Sequence, residues 1–250
     1  MKPYDQNFIS QEIQEYNGLI NECTCGDYGI LKENSLGHKL QGYMYENEQE
    51  EYNLPIIQLL KDKVSLMRLS PKEIQSSYEI IKFAKGKVGI VGLGLGYVVQ
   101  KIAKKSQVEQ VIVYEISEEV ISLYKQNFGE NNKIKIIQGD AFKANSECFD
   151  FFYVDIYEYK LDLKVVEDYK KLIKLHDIKE YSFWGIEHFL LSCKYEDIVW
   201  VYVPEVWIEM SKHLYTALDD SGYIKYYKQL EENKVKEVLL AFKEILNDEI

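Results

Sequence analysis

Apolar residues follow two rhythms along this chain. In the middle they gather into short continuous runs: Val88-Gly89-Ile90-Val91, residues 110–116, residues 133–138 and residues 149–155, each bounded by polar residues or glycine. Runs of this length suit strands buried on both faces. Between them, residues 97–105 and 118–128 carry the spacing of helices that cover a sheet. Strands alternating with helices of this length imply parallel pairing, because each crossover helix returns the chain in the same direction. The expected fold is α/β: a Rossmann-like parallel sheet with helices on both faces, a small N-terminal extension and a helical C-terminal addition.

The flanks read differently. Residues 1–65 mix short apolar pieces with Gly18, Gly26, Gly29, Gly37 and Gly42, which predicts strands and turns rather than one long helix. Residues 64–69 alternate like a strand. Ser70-Pro71-Lys72-Glu73 then has the form of a capping box with proline at the first helical position, so a helix is expected over residues 71–84. Its apolar positions Ile74, Tyr78, Ile81 and Phe83 or Ala84 would face the core. Beyond Asp155, residues 163–175 look helical, 181–185 suit a fifth strand, 187–193 a helix, and 205–250 two or three helices. No internal repeat is visible. The expected division is an extension over 1–65, a nucleotide-binding domain over 66–195 and a helical segment over 196–250.

Composition narrows the functions. The 250 residues are 46% hydrophobic, enough for a full core, and the net charge of -11 gives a surface field that repels polyanions. Nucleic acid is therefore disfavoured as a partner. The first residues lack an apolar signal core, and no run approaches the roughly 18 apolar residues of a membrane span. A cytoplasmic protein with no membrane association is expected. The acidic stretch 46–51 reads as a solvated loop or helix face. Cys23, Cys25, Cys148 and Cys193 are too few and too uneven for a disulfide framework, and Cys23 and Cys25 lack the second ligand pair of a structural zinc site. No metal is expected. Arg68 is the only arginine, hence the one residue able to clamp a carboxylate or phosphate in bidentate fashion.

The chemistry gathers at predicted strand ends. Gly92-Leu93-Gly94-Leu95-Gly96 follows a strand and opens a helix, where glycines let backbone approach a ligand and helix amides face it. The alternative is a tight turn with no ligand. Glu115 ends the next strand about twenty residues on, where a carboxylate can accept both hydroxyl hydrogens of a ribose. Asp140, after the third strand, either accepts from an adenine amine or caps the helix that follows. Ile116 and Ala141 complete the expected cofactor-binding set. Asp155 and Glu158, with Tyr157 and Tyr159 beside them, lie beyond the fourth strand, where open α/β sheets place their ligands. They are candidates for binding or deprotonating an acceptor, or ordinary loop acids. His38, His176, His188 and His213 are scattered and form no triad, and Trp184, Trp200 and Trp207 are assigned no role.

From Val88 to Asp155 the chain resembles the class I S-adenosylmethionine-dependent methyltransferases, with Gly92 to Gly96, Glu115, Asp140 and Asp155 matching successive ligand-binding strand ends. Within that superfamily it is most similar to the spermidine synthase-like branch. Ile90 fits that branch, and so do the entry segment from Leu66 to Ile81 and Asp155-Ile156-Tyr157-Glu158, which resembles its Asp-x-x-Asp amine site. The chain also departs from it: Leu95 stands in place of a glycine-loop aspartate, Arg68 and Tyr78 in place of glutamines, and Glu158 in place of the second aspartate. The Asp/Asn-Pro-Pro-Tyr signature of DNA amino-methyltransferases is missing, and Gly-x-Gly-x-Gly is not the Gly-x-Gly-x-x-Gly of nicotinamide dehydrogenases. The resemblance implies an S-adenosylmethionine-dependent transferase acting on a small-molecule or protein acceptor, with a homo-oligomer compatible. The alternatives are aminopropyl transfer from decarboxylated S-adenosylmethionine, and a nucleoside-binding protein of the same fold without turnover.

Overall fold

Asp5 opens the first helix, its carboxylate accepting from the Asn7 and Phe8 amides at 2.8 and 3.1 Å. From there α1 (Gln6–Leu19) buries Ile9, Ile13 and Tyr16, spaced three and four residues apart, on one face. The expectation of strands and turns alone thus fails over this segment, where a capped start and helical spacing outweigh Gly18. The structure is a computed structural model and describes residues 2–34, 40–46 and 53–248. His38, Gly37 and all but Glu46 of the acidic stretch lie outside the described residues; Glu46 pairs with Lys228 at 2.6 Å.

After α1 come β1 (Cys23–Cys25), β2 (Tyr28–Asn34), β3 (Pro55–Lys61) and β4 (Val64–Arg68), an antiparallel sheet in the order β1-β2-β3-β4. The boundary expected near residue 65 falls inside β4, which pairs with β3 from Val64 to Arg68. Next is α2 (Pro71–Phe83), with proline at its start. Ser70 makes no side-chain cap, so the expected capping box does not form. Glu73 turns inward instead. Besides Ile74 and Ile80, α2 buries Gln75, Ser76, Ser77 and Glu79, because α1 lies against it on one side and further helices close the others.

The central sheet follows. It is built from β5 (Gly86–Val91), α3 (Tyr97–Ala103), β6 (Val108–Glu115), α4 (Glu118–Phe128), β7 (Ile134–Gln138), β8 (Cys148–Phe149), β9 (Phe151–Val154), α5 (Lys164–Leu175), β10 (Asp177–Ile178) and β11 (Tyr181–Phe183). Five of these strands run parallel in the order β11-β9-β5-β6-β7. The chain steps outward from β5 to β7 and then from β9 to β11 on the opposite side, so right-handed crossovers distribute the helices over both faces. The apolar run expected as one strand over 149–155 is broken at Asp150, whose carboxylate accepts from the Lys87 amide at 2.8 Å. Cys148 and Phe149 pair with β10 instead, while the fully buried Phe151 to Val154 join the main sheet.

The remainder is helical: α6 (Ile186–Ser192), α7 (Tyr195–Ile198), α8 (Glu205–Asp220) and α9 (Glu232–Asp248). Phe242 of α9 stacks on Phe183 of β11, with centroids 6.0 Å apart, and meets Trp207 edge-on at 5.3 Å. These helices thereby close the core beside β11. Among the described residues no helix is long and apolar enough to cross a membrane.

Candidate functional site

Strand order reverses between β5 and β9, and at that point the ends of β5, β6 and β9 open onto a cleft of about 790 Å³. Its floor is the turn after β5. Gly92 has φ +98°, and a Cβ there would stand 2.4 Å from the Asp155 carbonyl oxygen. Gly94 has φ +51°, and its Cβ would lie 2.5 Å from Met67 Sδ. Both positions therefore need glycine, one so that the turn can pass β9 and the other so that β4 can lie on it. The turn is held from outside: Leu95 N–H donates to Met67 Sδ at 3.4 Å, and Tyr16 Oη donates to the Leu95 carbonyl at 3.0 Å.

Glu115, at the end of β6, stands at one end of the cleft. Its two carboxylate oxygens accept from the Leu93 and Ser117 amides at 3.0 and 2.9 Å. The carboxylate is thus fixed against the glycine turn, and each oxygen keeps a second lone pair for a ligand hydroxyl. The Gly139 amide donates to the Glu115 carbonyl at 2.8 Å, which brings the turn carrying Asp140 alongside.

The other end is different in kind. Asp155 follows β9, and burial pushes its carboxyl up to about 7. Glu73, from the first turn of α2, is only 9% exposed; burial, reinforced by the neighbouring Asp155, pushes it well above the carboxylate range. Glu73 Oε1 has no hydrogen-bond partner among the described residues. Next to this pair the Lys72 ammonium lies 3.4 Å from the centroid of Tyr159 and 5.8 Å from that of Trp184, and burial pulls it down to about 8. Tyr159 is hydrogen-bonded to His188, which burial pulls down to about 4 and thus keeps neutral.

Of the residues expected from sequence, Gly92, Gly94, Glu115, Asp155 and Glu158 line this one cleft. Gly96 lies just behind it as the residue before α3. Ile116 is 74% exposed beside Glu115. Asp140 accepts from the Phe142 amide at 3.0 Å and pairs with Lys143 at 3.2 Å, so the capping alternative is what its side chain does here, and Ala141 is buried behind it. Sequence reasoning missed Glu73, Lys72 and Trp184. The Ser-x-x-Glu pattern supplied a complete local explanation for Glu73, and no spacing rule brings α2 to the end of β9. Among the described residues no group of three or more His, Cys, Asp and Glu side chains is placed to hold a metal.

Residues 90–160 match the family model of a methyltransferase domain. Over that stretch the chain is similar to methyltransferase domains. No curated protein matches the chain. Among solved structures it is similar to Trm5b from Pyrococcus abyssi, at 18% identity over 54% of this chain and 38% of that one, with a TM-score of 0.37. A S-adenosylmethionine-dependent methyltransferase from Clostridium acetobutylicum gives 14% identity over 44% and 48%, with a TM-score of 0.35. Spermidine synthase from Thermotoga maritima gives 17% over 81% and 62%, with a TM-score of 0.39. The chain spans less than half the length of the first two and less than two thirds of the third.

Proposed function

We propose that this chain is an S-adenosylmethionine-dependent methyltransferase acting on a small-molecule or protein acceptor. One observation carries the reading. A single cleft holds a carboxylate fixed for hydroxyl ligands at one end, Glu115, and a carboxyl poised to take a proton near neutral pH at the other, Asp155. S-adenosylmethionine supplies, when bound, a methyl group activated by its sulfonium. Gly92, Gly94 and Gly96 let backbone approach the ligand, and Glu115 accepts from both ribose hydroxyls. Ile116 covers an adenine face, and Asp140 and Ala141 bound that end. Asp155 orients the acceptor nucleophile and takes its proton, with Glu158 at the mouth of the acceptor end. Holding the two reacting groups in line supplies most of the acceleration.

Asp155 and Glu158 both line the cleft, which supports a second reading: aminopropyl transfer from decarboxylated S-adenosylmethionine to an amine. Calorimetric titration with S-adenosylmethionine, its decarboxylated form, S-adenosylhomocysteine, methylthioadenosine and NAD separates these. Preference for the carboxylated cofactor supports methyl transfer, and preference for the decarboxylated one supports aminopropyl transfer. Binding of NAD alone, or of nothing, sinks both.

A further inference from the structure

The chain has four methionines, and their surroundings differ. Met44 and Met210 are 1% and 0% exposed, sealed in the core, and Met1 lies outside the described residues. Met67 is half-buried near the end of β4 and lines the cleft. A thioether that dissolved peroxide can reach is oxidised to the sulfoxide, which turns a flexible apolar side chain into a polar one.

Two contacts tie this sulfur to the glycine turn. Sδ accepts the Leu95 N–H at 3.4 Å, and it lies so close to Gly94 that a Cβ there would stand 2.5 Å away. Sulfur is a weak, uncharged acceptor, and here it also sets the spacing between β4 and the turn. An added oxygen disturbs that spacing on either of its lone pairs. On the one that meets Leu95 there is no room: nitrogen and sulfur are 3.4 Å apart, and a normal hydrogen bond to oxygen would itself take about 2.9 Å of that length. On the other the oxygen must fit beside Gly94 or project into the cleft. The turn cannot simply retreat, because Tyr16 Oη holds the Leu95 carbonyl at 3.0 Å from its other side and the Leu95 side chain is buried. Oxidation therefore either parts β4 from the turn or sets a polar atom in the wall beside it.

We propose that Met67 is an oxidation site that sets the affinity of the cleft for its nucleoside cofactor. Hydrogen peroxide is the oxidant. Its O–O bond breaks, one oxygen is transferred to Sδ, and the other leaves as water, so that sulfur is oxidised and peroxide reduced. The sulfoxide form binds the cofactor weakly, and reduction of the sulfoxide restores the site. The proposal rests on the nucleoside-binding reading of the same cleft.

The test treats the full chain with hydrogen peroxide, reduces the cysteines with dithiothreitol, which leaves a methionine sulfoxide in place, removes both reagents and titrates S-adenosylhomocysteine by calorimetry. Peptide mass mapping is expected to find the added oxygen on Met67 ahead of Met44 and Met210. Affinity falls about tenfold or more in step with Met67 oxidation, and methionine sulfoxide reductases acting on both epimers recover it. Met67→Gln, with a polar group in the same place, binds weakly without treatment. Met67→Leu keeps the apolar bulk but loses the sulfur acceptor, so it binds less tightly than the reduced wild type. Its affinity does not move with peroxide, although all four cysteines are still present. The proposal is overturned if Met67 stays a thioether while Met44 or Met210 reacts, if the oxidised protein binds like the reduced one, or if Met67→Leu loses affinity on treatment. Failure of the reduced wild type to bind S-adenosylhomocysteine removes the nucleoside site itself, and the switch with it.

Discussion

The two ends of the cleft use the same functional group in opposite ways. At one end Glu115 has both oxygens answered by backbone amides and stands partly open to solvent. At the other, Glu73 and Asp155 sit close together in a desolvated wall, and their carboxyls are driven toward the neutral form. At Glu73 and Asp155 burial makes the charge conditional. The first arrangement suits holding a ligand, and the second suits exchanging a proton.

Substitution at Asp155 should break the comparison most severely. Asp155→Asn preserves shape and removes the proton acceptor, so turnover is expected to fall about 10²- to 10⁴-fold while cofactor affinity changes little. The wild-type rate should rise with pH up to about 7, and the variant should lose that limb. A variant as active as the wild type would place the proton acceptor elsewhere.

Glu115→Ala should act on the opposite quantity. Losing both ribose hydroxyl contacts is expected to weaken cofactor binding about tenfold or more, read by calorimetry. Unchanged affinity removes Glu115 from the nucleoside site.

Glu73→Gln sharpens the contrast through stability. Because folding raises both carboxyls, the native protein holds protons that the unfolded chain releases between the ordinary carboxylate range and about pH 7. Unfolding free energy must therefore fall as pH rises through that window. Glu73→Gln should flatten the slope and be more stable than the wild type at pH 8 by on the order of 1 kcal/mol. Urea denaturation at pH 5 and pH 8 measures both, and an unchanged slope would show that the pair is not the source.

The difference between the ends also explains what could be read from the sequence. Glu115 and the glycine turn belong to one strand-turn-helix-strand unit, so their meeting follows from spacing along the chain. The central strands were legible for the same reason, as unbroken apolar runs. Glu73 reaches Asp155 across 82 residues of chain, and only the packing of α2 against the sheet brings them together. A local motif that already explained Glu73 hid it. The helix α1 was obscured by its glycine-rich surroundings, and the break at Asp150 depends on an amide from another strand.

The side chains that clamp the glycine turn come from earlier in the chain. Tyr16 and Met67, which hold Leu95 from two sides, precede it by 79 and 28 residues, and Glu12, which accepts from Tyr97 Oη at 2.9 Å, precedes Tyr97 by 85. During synthesis the brackets for the turn thus emerge before the turn itself. They have nothing to grip until β5, α3 and β6 have followed. The ligand pocket is thus completed by contacts between an early segment of the chain and a later one. A piece cut to the family-matched residues 90–160 would keep the glycines and Glu115 but arrive without the brackets that set their shape.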